Sequence, residues 1–485
     1  MRRSLVATIW SLFDRVWSQI VGFFIGIVLA RLLSPQDYGL VGISMIFIAF
    51  SNVFIEAGFS NALIRKLDRN QTDYSTAFHF NAVMGVTMYI ILFVAAPFVA
   101  GYFEDDTLIP LTRIVSITII LNSLCIVQNA ILTAEFKMKE QAIINISAQI
   151  PSGVVAMYFA FRGFGVYSLA IQTVLSSTIR TIMFWVRAKW RPSMKFSRNS
   201  MRYLWGFGSK LIGANLIGTF FNEIYTILIG KYISKTDLGY YSKGRSLSVQ
   251  SENICSGVVQ KVAIPILSQY QNDMIQLKEK YRELTMIINC IMTLISGIMI
   301  AIASPLVAMI WGYKWADTVP VLQLLIIGNV VSYVSYLSLV LLQIINHTEY
   351  TLKLEFVKKP VCLLVILFSL KYGMYGLLCS LIFNSFFCSL INISAPWKYI
   401  NYTYLEQGRD VAKYVIALMI SLGIVFILTK LYETNNVIDI IIRLIIVTLV
   451  YIGVLWIMKD YVFRHYGNAI LALISNFYTN IKING

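Results

Sequence analysis

Long apolar runs follow one another along this chain with little between them, and that constrains its fold more than any motif. A helix must offer about 20 mostly apolar residues to cross a hydrocarbon core about 30 Å thick. Such runs lie at 8–32, 40–64, 77–102, 109–134, 140–161, 165–187, 205–231, 238–265, 283–310, 319–345, 355–371, 376–395, 411–430 and 437–458. The longest connections, near 185–204, 266–282 and 396–412, are too short to hold a soluble domain with its own core. Of the 485 residues 58% are hydrophobic and 13% charged, against about 45–50% and about 25% in soluble domains. The expected fold class is therefore all-α integral membrane, with about fourteen transmembrane helices, because in lipid a helix satisfies its own backbone. The first run carries Asp14 and Arg15 and reads on without a small-residue cleavage site, unlike a signal peptide. The tail 461–485 is expected to be cytoplasmic or interfacial, laying Ile470, Leu473, Ile474 and Phe477 on the membrane surface.

The net charge of +16 raises the question of nucleic acid, but the basic residues are dispersed through the connections. With the N-terminus and its Arg2 and Arg3 in the cytoplasm, that side also collects Arg65, Lys66, Arg69, Lys137, Lys139, Arg187, Lys189, Arg191, Lys195, Arg198 and Arg202. It further receives Lys278, Lys280, Arg282, Lys353, Lys358, Lys359, Lys398, Arg409, Lys413, Lys459, Arg464 and Lys482. The other side receives only Arg31, Arg162, Lys231, Lys235, Lys314, Lys371 and Lys430, with the acidic Glu104-Asp105-Asp106. About 25 cations against about 7 is a strong positive-inside bias, and it predicts both termini cytoplasmic.

An internal repeat subdivides the chain. Ala30-Arg31-Leu32-Leu33-Ser34-Pro35-Gln36-Asp37-Tyr38-Gly39 lies over Gly230-Lys231-Tyr232-Ile233-Ser234-Lys235-Thr236-Asp237-Leu238-Gly239, an offset of 200. The basic residue (Arg31, Lys231), the serine, the aspartate (Asp37, Asp237) and the glycine (Gly39, Gly239) coincide at outer helix ends. Gly165-Val166-Tyr167 lies over Gly373-Met374-Tyr375 at offset 208, and Glu135-Phe136 over Glu349-Tyr350 at offset 214. Three echoes in one order predict a six-helix lobe over 1–200, a second over 201–400, two additional helices over 401–460, and a substrate path between the lobes.

Ionisable groups within a span cost about 2.5–3.5 kcal/mol each, so they ordinarily face a wet cavity or a partner. They concentrate in spans one, two, seven and eight: Asp14 and Arg15; Glu56; Lys210 and Glu223; Lys243, Arg245 and Glu252. Asn52, Glu56 and Ser60 share a helix face, as do Asn215, Thr219 and Glu223. These groups are expected to line one cavity. Arg113, Arg180, Lys261 and Arg443 read as structural. Six cysteines without paired spacing read as buried free thiols, and no metal site is expected. His79, His347 and His465 are scattered, and neither a HExxH motif nor a Walker-type glycine loop is present.

The segment from Ala30 to Gly39, with Glu56-Ala57-Gly58-Phe59 and Gly163-Phe164-Gly165-Val166-Tyr167, resembles the polysaccharide transporter family. The likeness is to Wzx-type flippases of the O-antigen and colanic acid kind, in the multidrug/oligosaccharidyl-lipid/polysaccharide exporter superfamily. It implies two six-helix lobes around a cationic lumen in a bacterial inner membrane. The implied cargo is an undecaprenyl-pyrophosphate-linked oligosaccharide for lipopolysaccharide, capsule or exopolysaccharide biosynthesis, moved by alternating access. Arg15, Lys210, Lys243 and Arg245 would neutralise the pyrophosphate. Asp14, Glu56, Glu223, Glu252, Asn52 and Asn215 would meet sugar hydroxyls, balance the cations or carry a coupling ion. No cofactor is implied beyond H+ or Na+ as that ion. The expected partners are the lipid-linked substrate, membrane lipids and other polysaccharide assembly proteins, not nucleic acid. Rival readings are an ion-coupled drug or metabolite antiporter, which favours acidic groups, and a flippase for the peptidoglycan lipid precursor. A membrane polymerase or ligase needs a large catalytic outer loop, and the outer loops here run to about ten residues.

Overall fold

The computed structural model describes the backbone of residues 2–56, 58–66, 68–429, 436–463 and 465, and their side chains except those of 2–5, 207, 210, 348 and 436. Every regular element among these residues is helical. Eleven helices are long and apolar enough to cross a membrane, or twelve if one bent pair forms a single span. The chain is a multi-pass membrane protein. One of the eleven, Glu349–Ile400, holds two long helices joined at a turn, and the polar Lys235–Val258 falls outside the set. The expected surface position of Ile470, Leu473, Ile474 and Phe477 lies outside the described residues.

Two compact units divide the chain at Ser242 and Lys243. The first contains α1 (Arg2–Leu32), α2 (Pro35–Glu56), α3 (Phe59–Arg65), α4 (Gln71–Phe103), α5 (Leu108–Ser123), α6 (Ile126–Ala134), α7 (Met138–Phe161), α8 (Val166–Arg187) and α9 (Arg198–Tyr232). It also takes the start of α10 (Lys235–Val258). Here α4 packs on α5, α7 on both α1 and α8, and α2 on α5 and α9. The second unit continues with a π-helical turn at Val259–Ala263, then α11 (Ile264–Ser268), α12 (Met274–Ile310), α13 (Thr318–Tyr333), α14 (Tyr336–Ile344) and α15 (Thr348–Ser369). It ends with α16 (Gly373–Asn392), α17 (Ser394–Ile400), α18 (Tyr404–Thr429) and α19 (Asn436–Ile457). There α12 is the central helix, against α13, α18 and α19.

Some helices begin where polar side chains cap them, ahead of the apolar runs. Asn70 and Asp73 form a reciprocal capping box at the start of α4. The Asp73 carboxylate also takes a 2.7 Å ion pair from Lys66, whose ammonium this hydrogen bond holds above its ordinary pKa. Asp273 accepts from the Ile275 and Gln276 amides, so α12 starts before the predicted 283–310 run. Its polar stem carries Lys278 and Arg282, paired with Glu406 and Asp410. Hydropathy registers only the apolar part of such a helix.

Three predicted spans are interrupted. The 40–64 run breaks after α2, with Gly58 at φ 67°. The 109–134 run bends by 41° between α5 and α6. The 319–345 run breaks between α13 and α14. A break within lipid is tolerated only where neighbours satisfy the freed backbone groups. At the α5–α6 bend, Thr181 Oγ1 donates to the Leu121 carbonyl at 2.9 Å and Trp185 Nε1 to that of Leu124 at 3.0 Å, both from α8. At the α13–α14 break, Ser389 Oγ of α16 donates to the Val331 carbonyl at 3.0 Å.

The repeat has a structural content that residue matching shows only in part. Ser34 and Asp37 exchange hydrogen bonds at the start of α2, and Ser234 and Asp237 do the same at the start of α10. Each motif therefore caps its own helix. A Cβ on Gly39 would lie 1.9 Å from the Lys235 carbonyl oxygen, and one on Gly239 1.9 Å from that of Pro35. The repeated glycine lets α2 and α10 cross backbone to backbone, a reciprocal contact. Gly165 and Gly373 share a positive φ, 53° and 69°. The third echo is corrected: Phe136 and Asn346, both at φ 57°, occupy equivalent helix ends, so Glu135-Phe136 stands over Ile345-Asn346, not Glu349-Tyr350. Backbone capping geometry defines that position, and residue identity does not. Among the cysteines, all free, Cys379 is exposed instead of buried, on a face of α16 that packing leaves uncovered.

Candidate functional site

The bend between α5 and α6 opens a cavity of about 410 Å³ in the first unit. Asn52 and Glu56 of α2, Asn122 and Asn129 flanking the bend, Gln141 and Asn145 of α7, and Arg180 of α8 supply its polar wall. Cys125, Ile126 and Phe184 complete it. Each helix contributes residues a turn or two apart, so the local periodicity that makes a helix also gathers these groups on its inner face. Asn52, Glu56, Gln141, Asn145 and Arg180 lie in the half of their helix, or just before the connection, that meets a Lys/Arg-rich segment.

Hydrogen bonds hold part of this wall in place. Gln141 Nε2 donates to Asn129 Oδ1 and to Thr133 Oγ1, each at 2.8 Å. Asn145 Nδ2 donates to Asp14 Oδ2 of α1 at 3.0 Å, and Ser18 Oγ donates to the same carboxylate. One turn on, Gln149 Nε2 donates to the Ser18 carbonyl at 2.9 Å, and its amide fills the space where a Cβ on Gly22 would sit. The rest of the wall is uncommitted. Among the described residues the side chains of Asn52 and Asn122 make no protein hydrogen bond, and Glu56 and Arg180 make no ion pair. Unpartnered polar groups at this depth cost free energy unless water or a ligand meets them.

The sequence-derived candidates fall out as follows. Asn52 and Glu56 line the cavity, and Asp14 reaches it through Asn145. Arg15 and Asn215 are exposed elsewhere on α1 and α9, and Glu223 accepts from Thr226 within α9 at 3.0 Å. Lys210 lies on α9, with its side chain outside the described residues. Arg31 is exposed at the end of α1, and Lys231 pairs with Glu104 at 2.7 Å. That contact holds the Glu104 carboxyl below its ordinary pKa. In the second unit, Lys243 lies over the Trp311 and Trp315 rings at 5.3 and 5.8 Å. Arg245 and the Asn329 amide both act on Glu252, and Asn329 donates in turn to Ser248 Oγ.

Arg180, which the sequence reads as structural, lies in the cavity wall, and it makes no ion pair among the described residues. The available signal was the polar stripe Thr173, Ser177 and Arg180 on one face of the sixth run, with Asn122 and Asn129 seven residues apart and Gln141 and Asn145 four apart. A search weighted toward charge passes over carboxamides. Arg443, by contrast, is structural, bound to Asp439 and the Ala301 carbonyl.

A second cavity, about 530 Å³, lies in the second unit beside the α13–α14 break. Its wall is almost wholly apolar, from residues such as Val330, Val334, Leu390, Leu418 and Leu422.

A family model described as polysaccharide biosynthesis protein matches residues 28–320, which include every residue lining the polar cavity. The chain belongs to the polysaccharide biosynthesis protein family. Relatives in it include the teichuronic acid biosynthesis protein TuaB of Bacillus subtilis (strain 168), 24% identical over 286 residues, covering 58% of this chain and 59% of that one. The succinoglycan biosynthesis transport protein ExoT of Rhizobium meliloti (strain 1021) is 24% identical over 324 residues, covering 66% and 65%. These matches span less than two thirds of either relative's length. Among solved structures, the fold is similar to that of the lipid II flippase MurJ in an inward closed conformation. The TM-score is 0.68 at 16% identity, over 93% of this chain and 98% of that one, a likeness of fold alone.

Proposed function

We propose that this chain is a flippase that turns a polyprenyl-pyrophosphate-linked oligosaccharide from the inner to the outer leaflet of a bacterial inner membrane. The observation that carries the reading is the first-unit cavity: a guanidinium, a carboxylate and five carboxamides in helices that are otherwise built for lipid. A protein that only anchors in a bilayer has no use for such a wall, whose exposure there is costly. A carrier of a sugar head needs one. The family match and the relative named as a transport protein support polysaccharide precursors as cargo.

In this proposal Arg15, Lys210, Lys243 and Arg245 neutralise the pyrophosphate, as forks or point charges. Fourteen spans place both termini in the cytoplasm, two six-helix halves alternate access, and H+ or Na+ supplies the coupling. No catalytic role is assigned to any residue. The rival antiporter for organic cations is disfavoured by these four cations, and a lipid II-type cargo remains the second reading because the fold is shared with MurJ.

Deleting the gene tests the proposal. Surface polysaccharide is expected to vanish while lipid-linked oligosaccharide accumulates, accessible to a membrane-impermeant glycosidase in inverted vesicles only. Normal access in right-side-out vesicles from the deletion strain overturns it.

A further inference from the structure

The pyrophosphate and the sugar are chemically different cargoes, and the polar cavity suits only one of them. A pyrophosphate carries several negative charges and calls for clustered cations. This wall offers one guanidinium, Arg180, against the Glu56 carboxylate, with the Asp14 carboxylate behind Asn145. Its dominant groups are the carboxamides of Asn52, Asn122, Asn129, Gln141 and Asn145. Each carboxamide presents two N–H donors and an accepting oxygen in one plane. That pairing matches a ligand whose groups both donate and accept, as vicinal hydroxyls and acetamido groups on a sugar ring do. The volume of about 410 Å³ falls in the range of about 300–1,000 Å³ typical of small-molecule sites, room for a short saccharide and not for a prenyl chain.

The wall is also divided into fixed and free groups, as a binding site requires. Gln141 is held by Asn129 and Thr133, and Asn145 by Asp14. Among the described residues the side chains of Asn52 and Asn122 have no protein partner, which leaves both donors and the acceptor to a ligand. We propose that this cavity is a saccharide subsite, in which Asn52 and Asn122 bind the sugar next to the pyrophosphate, with Glu56 accepting from a hydroxyl and Arg180 donating to a ring substituent. The phosphates bind elsewhere. The proposal rests on the flippase reading and adds that selection among repeat units resides in the first unit alone.

The test uses the full-length protein, purified in a detergent without a sugar head, since a maltoside would compete. Two probes are compared by native mass spectrometry: undecaprenyl pyrophosphate, and the lipid-linked oligosaccharide extracted from the bacterium that makes the chain. The doubly substituted Asn52→Ala, Asn122→Ala protein is expected to lose affinity for the oligosaccharide by about tenfold or more, two hydrogen bonds being removed, and to bind undecaprenyl pyrophosphate within about twofold of wild type. Among the described residues neither side chain bonds to the protein, and an unchanged melting temperature checks that the fold is kept. Equal losses for both probes, or no loss for either, overturn the saccharide subsite while the flippase reading stands. If the wild-type chain binds neither probe, the flippase reading falls and the subsite falls with it.

Discussion

The α5–α6 bend and the α13–α14 break are the same device with opposite contents. Each interrupts a span at an equivalent point, and each is held by a hydroxyl from a neighbouring helix: Thr181 on the Leu121 carbonyl, Ser389 on that of Val331. Beside the first lies a wall of Asn, Gln, Glu and Arg; beside the second, one of Val, Ile and Leu. The backbone break thus opens space without deciding what fills it. Side chains decide that, and of these two cavities the first has the chemistry to hold a polar head.

The sharpest way to break this comparison is to reverse the polarity. Val334→Asp, which puts a carboxylate into the apolar cavity, is expected to cost about 3 kcal/mol, read as sharply lower membrane-inserted protein, whereas Arg180→Leu leaves that amount unchanged and abolishes polysaccharide export. If both variants fold equally well, the two cavities do not differ in kind. A smaller effect tests the equivalence of the breaks. Thr181→Val takes the side-chain donor from the Leu121 carbonyl, Ser389→Ala takes that of Val331 together with the acceptor of Ser335 Oγ, and each is expected to cost about 1–3 kcal/mol in thermal unfolding. A clear loss in one variant alone would show that the breaks are held differently. The smallest effect belongs to a pair remote from both. Glu104 has its pKa depressed by Lys231, so the pair's stabilisation is present above the ordinary carboxylate value of 4.5 and is lost as pH falls through the lower folded value. Unfolding temperatures of wild type and Glu104→Gln should converge on acidification below that window.

Much of the fold is legible in the sequence because lipid imposes a simple rule. Backbone groups must be satisfied within each segment, so the length of an apolar run carries the signal. The repeat at Ser34, Asp37 and Gly39 was equally visible, since helix capping and close helix crossing each demand a particular residue type. Breaks inside spans were not visible: the partners of Leu121 and Val331 come from helices 58 to 60 residues away along the chain. The site was half legible. Asn52 and Glu56 stood out as polar groups on one helix face. Arg180 and the carboxamides of α5 to α7 did not, because a polar residue in a span reads the same whether it faces a neighbour or a cavity.

What the sequence determined by itself is class and pattern: a many-spanning helical chain, its repeat, and the polar groups it places at membrane depth. Local periodicity and the absence of water settle these. What only the tertiary structure decided is which of those groups meet. Asp14, Glu56, Asn122, Gln141 and Arg180 are spread over more than 160 residues, and they converge because α1, α2, α5, α7 and α8 pack together around a bend. Packing between helices is a property of whole surfaces, and no single segment encodes it.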